Sequence, residues 1–269
     1  MSEDKRITIV VAGPRGKMGS ETIGMIGKTP HFKLVGVLDR LHDGKMLSDL
    51  EGFTESDVPV YTDADRCFSA LEPDVLIDFT HPAVGKEHMK KALEYGVRPV
   101  IGTSGFTERD VARLKATADE KGIGAIIAPN FAIGAVLMMK FSQMAARHFP
   151  DVEIIEQHGD QKRDAPSGTA VKTAEMIQKT RTAKKQGPKE ENEMIPRARG
   201  AEFDGFRIHS VRLPGLVAHQ QVLFGGNGEL LTIRHDSFNR ESFMSGVRYA
   251  ADTVMTLDTL VYGLENLLE

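Results

Sequence analysis

The sequence predicts an α/β protein: a Rossmann-like doubly wound parallel sheet with a second α+β domain that carries a mixed or antiparallel sheet. Aliphatic runs and helix-like segments alternate about every 25 residues through the first half, which is the βαβ rhythm. A glycine-rich turn follows the first run at once and opens a helix. After Pro129 the rhythm gives way to strand-rich sequence with short turns. With 269 residues, 41% hydrophobic and 27% charged, the chain has the composition of a globular protein and the length for one large domain or two modest ones.

Ile7–Ala12 is aliphatic and largely β-branched, as expected of a strand buried on both faces. Comparable runs follow at 34–38, 75–79, 97–101 and 124–128, with helices expected at 20–27, 83–95 and 107–121. Thr107 is the expected N-cap of the last of these, and Gly122 closes it. Beyond Pro129 the pattern predicts a long helix over 131–149, a strand over 152–157 and a helix over 167–179 capped by Ser167. Residues 181–193 are charged and carry Gly187-Pro188, so they read as an exposed or mobile loop able to bury little surface. Strands are expected at 206–213, 219–224 and 230–235, the last two joined by Gly225-Gly226-Asn227-Gly228 as a hairpin. Phe243, Val247, Ala250, Val254, Leu257, Val261 and Leu264 recur at spacings of four and three, which predicts one long C-terminal helix that returns to pack on the first domain. The expected organisation is 1–130 plus 240–269 as a dinucleotide-binding domain and 131–239 as a substrate-binding and oligomerisation domain.

Lys and Arg number 34 against 38 Asp and Glu, a net charge of −4, so no global basic field exists to hold nucleic acid or an anionic membrane. Cys67 has no intrachain partner, and no Cys/His spacing fits zinc. Cytoplasm is therefore the expected compartment, with no metal, and Cys67 is expected as inert core. The charged Met1–Arg6 lacks the apolar stretch of a signal peptide. The uncharged stretch 122–139 is interrupted by Pro129-Asn130, so it reads as strand, loop and helix rather than a membrane span.

Gly13-Pro14-Arg15-Gly16-Lys17-Met18-Gly19 lies between the first strand and a helix. Glycines there permit a tight turn and let a pyrophosphate reach helix N–H groups. Asp39, at the end of the second strand, is placed to bond an adenosine ribose as in NAD, whereas Arg15, Lys17 and Arg40 nearby suit the 2′-phosphate of NADP. Use of both NADH and NADPH is the reading that accommodates all four. Three further loops fall at carboxyl ends of strands, the edge where open α/β sheets bind ligands. They contain Phe79 and Thr80, then Gly102, Thr103 and Ser104, then Ala128, Pro129, Asn130 and Phe131.

The densest constellation runs from Glu156 to Ala170. Ser167, Gly168 and Thr169 open a helix whose N–H groups suit a carboxylate. Lys162 adds positive charge, and His158 exchanges protons near neutral pH. Together they describe a pocket for a small dianion with an acid at hand.

Gly13-x-x-Gly16-Lys17-Met18-Gly19, Asp78-Phe79-Thr80, Gly102-Thr103-Ser104-Gly105, Pro129-Asn130-Phe131 and above all His158-x-x-x-Lys162-x-Asp164-Ala165-Pro166-Ser167-Gly168-Thr169-Ala170 resemble the 4-hydroxy-tetrahydrodipicolinate reductase family. The resemblance continues through Arg212-Leu213-Pro214-Gly215, Gly228-Glu229, Ile233-Arg234-His235 and Arg240. It implies a reductase of lysine and diaminopimelate biosynthesis that uses NADH or NADPH on a small cyclic dicarboxylate. It further implies a homotetramer held by second-domain sheets. His158 and Lys162 match the family's proton-transfer residues, and Gly168 and Thr169 its substrate-carboxylate contacts. Where the family has a second, adjacent histidine at the substrate, this chain has Gly159, with Gln161 the neighbour able to compensate. Two other readings, an amino-acid dehydrogenase of similar two-domain build and a non-catalytic dinucleotide sensor, make different predictions: the first oxidises its amino acid with NAD, and the second leaves His158 and Lys162 idle.

Overall fold

The computed structural model describes residues 6–53 and 56–268, so the reading of Met1–Lys5 lies outside the described residues. The chain divides into two compact units, Met1–Phe131 with Phe243–Glu269, and Ala132–Ser242.

The first unit is a seven-stranded sheet, every described pairing of which is parallel. Its elements are β1 (Ile7–Ala12), α1 (Lys17–Gly27), β2 (Phe32–Leu38), β3 (Val60–Tyr61), α2 (Ala64–Leu71), β4 (Val75–Asp78), α3 (Pro82–Tyr95), β5 (Arg98–Ile101), α4 (Glu108–Lys121) and β6 (Ala125–Ile127). The strand order is β3-β2-β1-β4-β5-β6, extended by a last strand from the C-terminal segment. Chain order reverses at β1, so the β1 and β4 ends flank the switch point where such sheets bind ligands. Ile9, Val10, Val11 and Ala12 are wholly buried, and each buried Ile or Val contributes about 1.5–3 kcal/mol. Thr107 caps α4 as expected, accepting from Asp110 N–H while the Asp110 carboxylate accepts the Thr107 N–H. Cys67 is buried in α2, and burial pushes its thiol up to about 12, which leaves it inert.

The C-terminal segment departs from the single helix its apolar stripe predicts. α5 (Ile133–Ala145), β7 (Asp151–His158), α6 (Gly168–Gln178), β8 (Ala201–Phe203), β9 (Phe206–Arg212), β10 (Ala218–Gly226) and β11 (Glu229–Ser237) come first, and α7 spans only Met244–Thr253. A 3₁₀ turn over Val254–Thr256 follows, then β12 (Leu260–Tyr262), which pairs parallel with β6. The edge of β6 needs hydrogen-bond partners, and Thr259, Val261 and Gly263 satisfy it better extended than helical. Ala125 N–H donates to Thr259 O at 3.0 Å and Gly263 N–H to Ile127 O at 2.8 Å. The segment does return to the first unit, with Leu260 and Leu264 buried there.

The second unit is a five-stranded mixed sheet in the order β11-β10-β7-β9-β8. β7 and β9 run parallel, and the other pairs are antiparallel. α5 and α6 supply Ala145, Ala170, Ala174 and Ile177 to a core with Val152, Ile154, Phe206, Ile208, Val222 and Phe224. α5 is shorter than expected because Pro129-Asn130-Phe131 stays a loop. The β10–β11 hairpin turns at Asn227-Gly228, where Gly228 has φ +81. Residues 181–193 are irregular, yet the loop is anchored where little burial was expected. The Arg181 side chain is buried over Phe206 and donates to the carbonyls of Pro150, Asp204 and Lys184 at 2.6, 2.7 and 2.6 Å.

A Cβ at Gly246 of α7 would fall on the carbonyl oxygen of Phe131, whereas one at exposed Gly24 of α1 would meet nothing within 4 Å. Gly246→Ala is expected to lower the unfolding free energy by about 1–3 kcal/mol. Gly24→Ala is expected to raise it by roughly 0.5–1 kcal/mol. Urea titration of both variants checks this, and equal effects would contradict the close packing of α7.

Candidate active site

In the first unit the β1–α1 turn forms a cradle. Gly13 has φ +78, a conformation that L side chains rarely adopt, and a Cβ there would also press on Thr80 at 3.3 Å. A Cβ at Gly19 would fall on the Gly13 carbonyl, so α1 sits directly on the turn. Gly16 is the N-cap of α1 with no side-chain cap and no acidic residue in the first turn, which leaves the positive end of the helix open to an anion. Beside it lies a cavity of about 770 Å³ lined by Gly13, Arg15, Gly16, Asp39, Arg40, Phe79, Thr80 and His88 among others.

The charges at this edge are arranged differently from expectation. Arg15 forks onto Asp39, Nε to Oδ2 and Nη2 to Oδ1, both at 2.7 Å, and Leu41 N–H adds a third bond at 2.9 Å. Burial alone would raise the Asp39 pKa, but the Arg15 fork and the Leu41 amide outweigh it and hold it below the usual carboxylate value. Arg15 and Asp39 therefore form one paired element rather than a free cation and a free acceptor. Lys17 and Arg40 are exposed nearby in sequence, and Pro14 is buried under the turn.

The other loops converge on the same edge. Phe79 packs edge-to-face on Phe131 with centroids 5.5 Å apart. A Cβ at Gly102 would strike the Phe79 ring. Ala128 and Phe131 are buried, Ser104 and Pro129 exposed, and Asn130 and Met18 half-buried. Thr103 is buried and its Oγ1 has no hydrogen-bond partner, an orphaned polar atom beside this edge. The open helix end, the glycine cradle and that hydroxyl together fit a dinucleotide. His88 of α3 is a lining residue that the sequence did not single out. Its Nδ1 bonds the buried Asp78 at 2.7 Å, and Asp78 also accepts Thr80 N–H and Oγ1–H at 2.7 and 2.6 Å.

In the second unit, β7 ends at His158 and the chain returns through Asp160–Pro166 into α6. Side chains two apart on a strand share a face, so Glu156 and His158 both turn inward. Glu156 is fully buried. Its Oε2 meets His158 Nδ1 at 2.5 Å and Arg212 Nη1 at 2.9 Å, and its Oε1 accepts from Arg212 Nη2 at 2.7 Å and Ser167 N–H at 3.2 Å. Burial alone would raise the Glu156 pKa, but the bonds from His158 and Arg212 win and bring it down to about 2. Arg212 continues to the carbonyl of Asp164 at 2.8 Å, tying β9 to the loop.

Lys162 holds its ammonium on both carboxylate oxygens of Asp164 at 2.8 Å, at a partly exposed position. Ser167 is buried and its Oγ accepts the Ala170 N–H at 3.2 Å. The Ser167 hydroxyl caps the helix, as its position at the start of α6 led one to expect, and keeps its own O–H to donate. Gly168 stands exposed at the start of α6, and Thr169 is half-buried beside it. Gly159 brings its position within 3.1 Å of the Leu216 carbonyl, measured from where a Cβ would stand, so a side chain there would push the 213–217 loop. Gln161 is exposed and turns its amide to Asp160 at 2.8 Å.

A glycine cradle for a dinucleotide in one unit and an acid–base loop leading into a helix N-terminus in the other define a nucleotide-dependent oxidoreductase. Residues 7–131 match the family model described as dihydrodipicolinate reductase, N-terminus, and 134–268 the model described as dihydrodipicolinate reductase, C-terminus. The chain belongs to the dihydrodipicolinate reductase family. It is 62% identical over 263 residues to the 4-hydroxy-tetrahydrodipicolinate reductase of Geobacillus kaustophilus, covering 98% of this chain and 99% of the relative. It is 59% identical over 266 residues to that of Bacillus subtilis, covering 99% of each. The dipicolinate-bound dihydrodipicolinate reductase of Paenisporosarcina sp. TG-14 shares the fold with a TM-score of 0.89 at 51% identity, over 98% of this chain and 100% of that one. The activity of this family is the NAD(P)H-dependent reduction of 4-hydroxy-tetrahydrodipicolinate, a step of lysine and diaminopimelate biosynthesis. No helix among the described residues is long and apolar enough to cross a membrane.

The depressed Glu156 pKa makes a stability prediction. Its folded value of about 2 lies below the ordinary 4.5, so its contribution is present above the ordinary value and is lost as pH falls towards the folded one. That contribution is on the order of 3 kcal/mol. Urea midpoints of the wild type are expected to fall steadily between pH 5 and about 2, and less steeply in Glu156→Gln. Identical slopes in the two proteins would contradict the assignment.

Proposed function

We propose that this chain reduces 4-hydroxy-tetrahydrodipicolinate to tetrahydrodipicolinate with its first unit holding the dinucleotide and its second the substrate. His158 and Lys162 move the protons. The observation that carries this reading is local to the second unit: His158, buttressed by Glu156, and Lys162 lie on one short loop that runs into the N-terminus of α6.

Gly13, Pro14, Arg15, Gly16, Lys17 and Met18 would cradle the pyrophosphate and, with Asp39 and Arg40, select the adenosine ribose or its 2′-phosphate. Phe79, Thr80, Gly102, Thr103, Ser104, Ala128, Pro129, Asn130 and Phe131 would line the way to the nicotinamide. The 4-hydroxyl and a hydrogen of the neighbouring carbon leave as water, and the reduced nicotinamide, when bound, would supply a hydride to the carbon that this leaves unsaturated. The positive end of α6, at Gly168 and Thr169, holds a substrate carboxylate. The Lys162 ammonium leaves Asp164 for the incoming dianion, an exchange of one exposed ion pair for another that costs little. His158 and Lys162 then give a proton to the carbon next to the one reduced, so that the enamine left by hydride addition is quenched. Gly159 leaves the substrate one side-chain contact fewer than the family's paired histidines would give.

The same reading makes the chain a cytoplasmic enzyme that assembles as a homotetramer through the second-unit sheet. One face of that sheet is covered by α5 and α6, while the other carries half-buried Ile155, Val211 and Leu223, which supports the choice of surface. The substrate class is a small cyclic dicarboxylate, in keeping with the dipicolinate bound by the Paenisporosarcina relative.

The test is a coupled assay in which dihydrodipicolinate synthase makes the unstable substrate from pyruvate and aspartate semialdehyde, with NADH and NADPH oxidation followed separately. Wild type is expected to consume both cofactors. Lys162→Ala is expected to lose about 100-fold or more in turnover while binding NADPH unchanged. Full turnover in Lys162→Ala, or no cofactor consumed by the wild type, would overturn the reading.

A further inference from the structure

A second-unit residue outside the proton-transfer pair controls that pair. We propose that Glu156 is a positioning residue that fixes the His158 ring with Nδ1–H turned inward and Nε2 presented as the proton-exchanging atom, and that Arg212 holds Glu156 in that duty. The inference rests on the reading that His158 moves a proton.

The geometry leaves Glu156 little choice. It is fully buried, and His158 Nδ1, both terminal nitrogens of Arg212 and Ser167 N–H converge on its two oxygens. The Arg212 fork on both oxygens and the backbone amide favour the charged carboxylate, which acts as acceptor alone. The ring atom 2.5 Å away must then carry a hydrogen. A neutral His158 is therefore the Nδ1–H tautomer, and its lone pair is on Nε2. In a free histidine the hydrogen is shared between the two nitrogens, so this fixing is work done by Glu156.

The anchor also reaches the substrate end of the loop. The Glu156 oxygen that accepts from Arg212 Nη2 also accepts the N–H of Ser167, the residue that caps α6. The Arg212 nitrogen concerned also bonds the Asp164 carbonyl, two residues beyond Lys162. One buried carboxylate thus sets the ring, the lysine loop and the helix start in a common frame. A salt bridge serving stability alone would need Arg212 and no bond to His158.

Two measurements test this. Nitrogen-15 spectra of the His158 ring in the wild-type protein are expected to show Nδ1 protonated and Nε2 unprotonated in the neutral form. In Glu156→Gln the ring is expected to revert to a mixture of tautomers. Turnover in that variant should fall roughly 10- to 100-fold, with KM for the dicarboxylate within about threefold. Arg212→Lys, which keeps the charge but loses the fork, is expected to fall between the two. An Nε2–H ring in the wild type would overturn the proposal without any variant, and so would full turnover in Glu156→Gln. Full turnover in His158→Gln would instead overturn the reading of His158 as a proton carrier, while the ring spectra still report whether Glu156 sets the tautomer.

Discussion

A carboxylate cut off from water must be protonated or be given a donor for each exposed lone pair, and Glu156 takes the second course. Much of the second unit's site follows from that requirement. Arg212 has to lie opposite β7, and the parallel register of β7 with β9, which pairs His158 with Arg212, puts it there. The amide that completes the set comes from Ser167, so α6 has to begin beside the end of β7. The loop between them is held at its midpoint by Arg212 on the Asp164 carbonyl. Removing one partner of so buried a group costs more than the pair contributes, because the remaining charge is stranded.

The first unit meets a different constraint, the close approach of one stretch of backbone to another. Gly13 and Gly19 let β1, the turn and α1 touch without side chains between them, and the helix end stays uncapped. The Arg15–Asp39 pair sits at the rim, with Arg15 more than a third exposed. The Asp39 side chain is only 4% exposed, so the fork holds a nearly buried carboxylate.

Elements governed by local chemistry were legible in the sequence. The β1 run with its glycine turn, the Thr107 capping box, the Ser167 cap and the Asn227-Gly228 turn all stand where local rules put them. Elements governed by partners were not. β3, β8 and β12 are two or three residues long and exist because an edge strand pairs with them. The C-terminal stripe satisfied a helical period, yet β6 needed a neighbour and the chain supplied one. Arg181 looked like solvated charge until three carbonyls and Phe206 surrounded it. Residue type and spacing single out His158 and Lys162 as candidates, whereas the contacts of Glu156 with Arg212 needed the register. The two-residue step from Glu156 to His158 was the available signal, since it puts both on one face of a strand. His88 gave no comparable signal, because Asp78 reaches it only through the packing of α3.

The central claim is that the loop from His158 into α6 receives a dianion, and amide spectra recorded during a titration with dipicolinate test it most directly. The account predicts that the Gly168 and Thr169 amides and the Lys162 side chain respond together while the Gly13–Gly19 amides stay still. Shifts confined to the Gly13–Gly19 turn, or none at Gly168 and Thr169, would contradict it.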